Sequence, residues 1–549
     1  MSKIKICALG GLGENGKNMY AVDVDNNIFI FDAGLKYPSD TFYGIDYIIP
    51  SYDYIKENKE KIHGIFLTHG HDENMGAIVD IIQEIPSIKV YATNLTTRII
   101  KKDLEYNKVS YNNFVLVKAH EKINFPHSLS IYPIAMTHSI PDAVGYALNT
   151  KDGIIYYTGD FTFDGAALEG YKMDIGKLAY LGKLGVLCLL SESVYAGRED
   201  HTSPNHRLKS FIKEILHKND RRIIFNVLAS SVYRLQELFD ELVKTNRKVV
   251  ILGKRLQEII NECIDGGYLK VDKKIFGGLG DIDTFNSVVL ISNEREKPYV
   301  NIERIVAGYD KFIKLKDTDT VAFLFPSCEL TEKQAVNVAE KIAKMGANVV
   351  TLSSKKHLSM HASREDLMMM INIMNPKYYM PVKGEYRHQV MNADAASLVG
   401  IKDENIILKQ NGEVVCFENG KLVHTEEKVV ADSIFIDGKA NNDIGQLVLK
   451  DRELLSNNGI VVVSTTVDRK SKKLLTNVDV STKGFLFLKN NSELVNEIRD
   501  LSTVVIEKNI TAKYIDKNTI RSEIREVVGK HIYKETESRP MIITIIAEV

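Results

Sequence analysis

Short apolar and β-branched runs open the chain at Ile4 to Leu9, Met19 to Val24 and Asn27 to Phe31; Gly10-Gly11-Leu12-Gly13 joins the first two, and Asn26 marks a turn before the third. They predict antiparallel strands at a sheet edge. A further run, Gly64 to Leu67, enters the polar stretch Thr68 to Gly76, and Ala77-Ile78-Val79-Asp80-Ile81-Ile82 follows, so the polar stretch falls on a loop between a strand and a helix. Tyr132 to Thr137 ends in His138, and Ile154 to Gly159 ends in Asp160. From about His206 the texture changes. Predicted strands Ile223 to Val227, Lys248 to Leu252, Val288 to Ile291, Val321 to Phe325 and Asn348 to Leu352 alternate with helical stretches such as Val232 to Lys244 and Thr331 to Met345. That alternation predicts a parallel sheet covered on both faces.

Beyond this insert, His357 to His361 opens a helix through Met368-Met369-Met370-Ile371, whose methionines read as core packing, and strand and loop return over Tyr378 to Arg387. A polar, Gly-dotted stretch from Ile436 to Gln446 reads as a linker. The rest reads as a small α/β domain, with strands Gly459 to Val467 and Phe485 to Leu488, helices from Ser492 and from about Asn518, and a closing strand Met541 to Val549. The expected organisation is an α/β chain: a first domain over 1–205 resumed at 353–435, an insert over 206–352, a linker over 436–458 and a terminal domain over 459–549.

Composition narrows the classes. A chain of 549 residues is long enough for several cores. No apolar run approaches the roughly 18 residues of a membrane span, so no membrane partner is expected, and Met1 to Ile6 reads as strand entry and not as a signal peptide. The five cysteines are scattered without a Cys-x-x-Cys pair, which fits neither a disulfide framework nor a thiolate metal site and points to the cytoplasm. The 71 basic and 72 acidic residues nearly cancel, so any nucleic-acid contact has to come from a local groove. No Gly-x-Gly-x-x-Gly follows the first strand of the insert, which argues against a dinucleotide site.

The chemistry concentrates in Thr68-His69-Gly70-His71-Asp72-Glu73-Asn74. Two histidines two apart on a tight turn can converge on one ion, because neutral imidazole binds transition metals near 2 Å without adding charge. Asp32 sits at a strand end, where a turn-capping role is equally open. His138 alone reads as a structural histidine, but the order His-x-His, strand-end His, Thr-Gly-Asp is the ligand order of a two-metal hydrolase.

Together with Ala8 to Tyr20, Asp32-Ala33-Gly34, His138 to Asp142, Thr158 to Phe161, Pro381 to Arg387 and Arg539 to Ile543, this order resembles the ribonuclease J family of bacteria. That family is a β-CASP group of the metallo-β-lactamase superfamily. The resemblance implies an αββα sandwich with an inserted Rossmann-like β-CASP domain, action on RNA in messenger-RNA decay and ribosomal-RNA maturation, and 5′-to-3′ exo- and endoribonuclease chemistry. It also implies a zinc held by His69, His71 and His138, with Asp160 reaching a second ion and Asp32 behind the ligands. A phosphate-side surface is implied at Ser230, Ser231 and Arg234 and at His357, Leu358, Ser359, Met360 and His361.

This chain departs from that pattern as a degenerate second paralogue would. Glu73, Asn74 and Lys383 stand where aspartate, histidine and histidine are expected; an amide oxygen is a poor zinc ligand, and a protonated lysine has no lone pair to give. Met360 stands at a glycine position and Ser292 to Pro298 at a Gly-rich one. The expectation is at most one tightly bound zinc, with Asp160 and Glu73 as the catalytic carboxylates, and manganese or magnesium as the second ion, only if the chain is active. Expected partners are RNA and an active ribonuclease J paralogue, with self-association when alone.

Overall fold

The computed structural model describes all residues except 1, 39–43, 293–297, 329–330, 439–445, 486–491 and 512–515. The chain divides into one unit of Met1–Tyr37 with Tyr47–Ile434 and another of Pro38–Asp46 with Phe435–Val549. In the first unit, an eight-stranded sheet runs in the order Lys421–Val423, Val414–Glu418, Lys3–Gly10, Met19–Val24, Asn27–Phe31, Ile62–Phe66, Val90–Ala92, Phe114–Leu116. A six-stranded sheet faces it, ordered Tyr378–Pro381, Val186–Ser191, Gly153–Tyr157, Val144–Thr150, Ser130–Ala135, Ile123–Asn124. Side chains from both, among them Tyr20, Phe29, Phe31 and Phe66 against Tyr146, Tyr157, Leu190 and Met380, form one buried core.

The opening strands are therefore not at an edge. Val414–Glu418 pairs antiparallel on one side of Lys3–Gly10, and Ile62–Phe66 pairs parallel beside Asn27–Phe31. Burial agrees: Ile4, Ile6, Tyr20, Val22, Phe29, Ile30 and Phe31 are all in the core. On the outer face of the second sheet, the helices Ile175–Leu184, Arg364–Met374 and Tyr386–Leu398 complete the layering, with Met370 and Met374 buried beneath them and Met369 exposed.

The insert is a five-stranded sheet ordered Val249–Leu252, Val288–Ile291, Ile223–Asn226, Thr320–Pro326, Asn348–Leu352, with every pairing parallel. Continuous apolar runs dictate this, since both faces of a parallel strand are covered by its crossover helices.

In the second unit, Ile460–Asp468 pairs antiparallel with Lys473–Leu474 and Asp479–Lys483 and parallel with Met541–Glu548. Helices Ser492–Ile510 and Lys517–Thr536 cover one face, through Ile498, Ile506, Ile520, Ile524, Val528 and Ile532. One expectation needs correction: the second half of the expected linker is the helix Gln446–Asn458, and the terminal sheet also carries a strand at Asp479–Lys483. Of the strand expected at Phe485 to Leu488, Phe485 packs partly buried on the terminal core, and 486–488, like 293–297 of the altered Ser292 to Pro298 segment, lie outside the described residues.

Candidate metal centre

The sandwich delivers its reactive side chains where strands stop. Ile62–Phe66 leads to His69 and His71, Ser130–Ala135 to His138, Gly153–Tyr157 to Asp160, and Tyr378–Pro381 to Lys383. The His-x-His loop is sewn to the segment after Phe31. Leu35 N–H donates to the Asp72 carbonyl (2.9 Å), Ala33 N–H to that of Asn74 (2.7 Å) and Asn18 Nδ2 to that of Glu73 (2.9 Å). Gly34 permits this approach, because a Cβ there would lie 1.7 Å from the Glu73 carbonyl oxygen.

His69, His71 and His138 are buried, with ring centroids 4.6 to 4.8 Å apart and one nitrogen from each within 4.8 Å of the others. Their outer nitrogens are already engaged. His69 Nδ1 stands 3.0 Å from Thr68 Oγ1, His71 Nε2 3.4 Å from the Ser230 carbonyl, and His138 Nδ1 donates to the Met360 carbonyl at 2.7 Å. Such outer bonds select the tautomers that turn His69 Nε2, His71 Nδ1 and His138 Nε2 inward as lone pairs. Two of these face each other at 3.1 Å, and His69 Nε2 is buried without a hydrogen-bond partner. Burial, then the neighbouring His71, holds both His69 and His138 well below the usual imidazole range, so they stay neutral. Three converging imidazoles with an orphaned nitrogen fit a transition-metal ion.

The second position does not fit one. Asp160 turns Oδ2 toward His69 Nε2 at 3.4 Å and Oδ1 toward Lys383 Nζ at 2.6 Å, with both side chains buried. The ammonium also lies 4.0 Å from Asp32 and over the Tyr157 ring at 5.5 Å. Burial alone would raise the Asp160 carboxyl, but the Lys383 ammonium, then His69, holds it well below the usual carboxylate range. Lys383, which burial alone would lower, is pushed up by Asp160 and Asp32. Asn74 Nδ2 donates to Asp32 (2.6 Å), as do Tyr157 OH (2.6 Å) and Thr68 N–H (2.8 Å). Lys383 is thus aimed at Asp160 and Asp32, and Glu73 stands instead beside His71, 3.5 Å from Nδ1 and 31% exposed.

The two phosphate-side segments meet each other and the histidines: the Ser230 carbonyl lies 3.4 Å from His71 Nε2 and the Met360 carbonyl 2.7 Å from His138 Nδ1. Ser231 is buried ahead of the helix Val232–Leu242, and Arg234 is buried with its guanidinium on the carbonyls of Leu324 (3.0 Å) and Leu358 (2.6 Å), which ties two segments together. His357 packs on Phe211, and Leu358 is buried. The Met360 side chain is buried with Ala167, Tyr171 and Tyr233, so its bulk is absorbed by the core. His361 Nδ1 lies 2.8 Å from Glu192 Oε2; burial alone would lower it, but Glu192 and then Asp160 push it up to about 10. Glu192 was missed in the sequence reading, and Asp160, Glu192 and His361 form a second group with ligand atoms within 4.8 Å. The signal was there: like Asp32 and Asp160, Glu192 ends a wholly buried strand, Val186–Ser191. Tyr195, also missed, lies edge-on to His361 with centroids 5.5 Å apart, and Ser359 N–H donates to its hydroxyl at 3.3 Å.

Fold and centre define a metallo-hydrolase scaffold carrying a β-CASP insertion. Family models for the ribonuclease J beta-CASP domain match residues 220–345, for the Zn-dependent metallo-hydrolase RNA specificity domain 333–403, and for the ribonuclease J C-terminal domain 447–549. The chain is 33% identical to "Ribonuclease J 2" of Streptococcus pyogenes over 100% of both chains, and 33% identical to "Ribonuclease J2" of Bacillus subtilis over 100% of this chain and 99% of that one. It belongs to the ribonuclease J family. A crystal structure of a protein of unknown function from Enterococcus faecalis shares the fold at TM-score 0.54 and 15% identity, covering 76% of this chain and 100% of that one. Among the described residues, no helix is long and apolar enough to cross a membrane.

Proposed function

We propose that this chain is a ribonuclease J-type protein of messenger-RNA turnover and ribosomal-RNA maturation whose own 5′-to-3′ exo- and endoribonuclease activity is weak or absent. It works in the cytoplasm as a subunit with an active paralogue, to which it contributes RNA-binding surface. The observation that carries this reading is the Lys383 ammonium 2.6 Å from Asp160, on the carboxylate oxygen turned away from the three histidines. A two-metal phosphodiesterase uses its ions to activate water and to clamp the leaving oxygen. His69, His71 and His138, with Asp160, would hold one zinc, the set of a closed four-ligand site. At the remaining position Lys383 bonds Asp160 and Asn74 bonds Asp32, so an ammonium stands where a second ion needs a lone pair.

Metal analysis with a cleavage assay tests the reading. After dialysis against a weak chelator the purified chain should retain at most one ion, and it should leave 5′-monophosphorylated RNA uncut unless the paralogue is added. Two retained ions, or vigorous cleavage by the chain alone, overturn it. A second reading draws on Glu73, whose carboxylate beside His71 is open enough to receive a loosely held manganese or magnesium ion together with RNA phosphate. It requires cleavage that depends on added manganese or magnesium and disappears in Glu73→Gln.

A further inference from the structure

Out from His138, past His361 and Tyr195, stands a different cation, Arg198. The turn after Glu192 carries Tyr195 and Arg198, both half-buried, and the Arg198 guanidinium lies over the Tyr195 ring with Cζ 4.6 Å from its centroid. The turn is tied down: Arg198 N–H donates to the Tyr195 carbonyl (2.9 Å), Arg364 N–H donates to the Arg198 carbonyl (2.8 Å), and Tyr195 bridges in parallel with Ser363. The ring is fixed as well, by the Ser359 N–H on its hydroxyl and by its edge contact with His361. Yet among the described residues no carboxylate and no hydrogen-bond acceptor engages the Arg198 guanidinium, although Glu199 and Asp200 follow it in sequence. An arginine already seated on an aromatic face has given up much of its rotamer freedom and presents its in-plane N–H groups outward, the arrangement that receives a phosphate bidentately.

We propose that Arg198, held on Tyr195, is an RNA phosphate-binding subsite at the margin of the centre, with Tyr195 as its positioning residue. This rests on the RNA-binding reading above and says which side chain grips the strand. Arg234 is not available for that work, because its guanidinium is occupied by the carbonyls of Leu324 and Leu358. A line of ring contacts leads inward from Arg198 through Tyr195 and His361, whose ring lies 5.4 Å from that of His138, so the guanidinium stands at the outer end of a row of side chains that ends at the three histidines. The ligand proposed is a phosphate, because a guanidinium seated on a ring face is set to receive one bidentately.

The test is fluorescence anisotropy of a 5′-monophosphorylated oligoribonucleotide on the full chain, over a salt series, with thermal melting of each variant alongside. R198A should weaken binding about tenfold and flatten the dependence of log Kd on log salt by about 0.7, the value of one lost single-strand phosphate contact. R198K should keep the salt dependence while recovering only part of the affinity. Y195L should behave like R198A, and Y195F, which keeps the ring, should bind close to the parent chain. R198A binding within twofold of the parent with an unchanged salt slope overturns the proposal, as does R198K matching the parent in affinity. If R198A fails to fold, R198K and Y195L decide by the same criteria. A parent chain that does not bind the oligonucleotide overturns the RNA-binding reading itself, an outcome visible before any variant is made.

Discussion

Lys383 and the residues around it are coupled by burial. Removing one member of a buried ion pair leaves the other charge without a partner, at a typical cost of about 3–5 kcal/mol. Lys383→Ala is therefore expected to lower the unfolding free energy by about 3 kcal/mol in urea titrations, with Asp160 and Asp32 left facing each other. Restoring all three altered positions, Lys383→His with Asn74→His and Glu73→Asp, should bring a second ion and measurable RNA cleavage; a variant that binds no second ion refutes the account of that position. The three histidines separate from Asn74 by a simple measurement. His69→Ala should abolish the fall in melting temperature that a chelator produces in the parent chain, whereas Asn74→Ala should lower the melting temperature and leave the chelator effect in place. His69, His71, His138 and Asp160 could be picked out from sequence because each follows an apolar strand directly, so covalent neighbours announce them. Arg234 could not be judged in that way, since the carbonyls that occupy it lie 90 and 124 positions away in the chain.

Helix Lys209–Lys218 starts against a buried acid. Glu237 of helix Val232–Leu242 accepts from the Leu208 N–H at 2.9 Å, and burial pushes its carboxyl up from 4.5 to about 7 in spite of that bond and of Arg234. With the folded-state value above the unfolded one, the stability this acid contributes is complete below about pH 4.5 and is lost as pH rises through about 7. Glu237→Gln keeps an oxygen for Leu208 and removes the ionisation. It should match the parent chain in the acidic range and exceed it by about 1–3 kcal/mol near pH 8.5 in denaturant midpoints; an equal loss in both chains between those conditions would refute the assignment. Among the elements themselves, the parallel sheet of the insert was legible because its strands are unbroken apolar runs. The interior place of the opening strands was not, since their outer neighbours arrive from Val414–Glu418 and, after a parallel crossover, from Ile62–Phe66. Helix Gln446–Asn458 escaped for another reason. It exposes Leu447, Val448, Leu454 and Leu455, so no single buried stripe marks its period.

Each unit holds its own core, and the terminal one buries Val461, Val463 and Val467 under two helices while leaving Ile543 and Ile545 exposed on the alternate positions of Met541–Glu548. Two aliphatic side chains side by side on an open sheet face favour a packed role for this domain in assembly. The cut that tests it belongs after Ile434, because a chain ending near Lys450 would carry a broken helix Gln446–Asn458. If the proposed pairing with a paralogue holds, the shortened chain should keep its chelator-sensitive melting and fail to form the mixed species that the full chain forms in light-scattering mass measurements. Unchanged mass and unchanged pairing would refute the role. The exit toward the terminal domain was blurred in the sequence because polar, Gly-dotted sequence can still enter a helix a few residues later, here Gln446–Asn458.

The lysine at the centre has a consequence for supply. An ion must be captured from the surroundings, so a site that depends on it is built only where and when the ion is plentiful. An ammonium is delivered by translation, tethered at fixed stoichiometry to the carboxylate it neutralises, and no chelator removes it. This half of the centre is therefore indifferent to metal starvation, and Asp160 keeps its ion pair with Lys383 whatever the supply of metal.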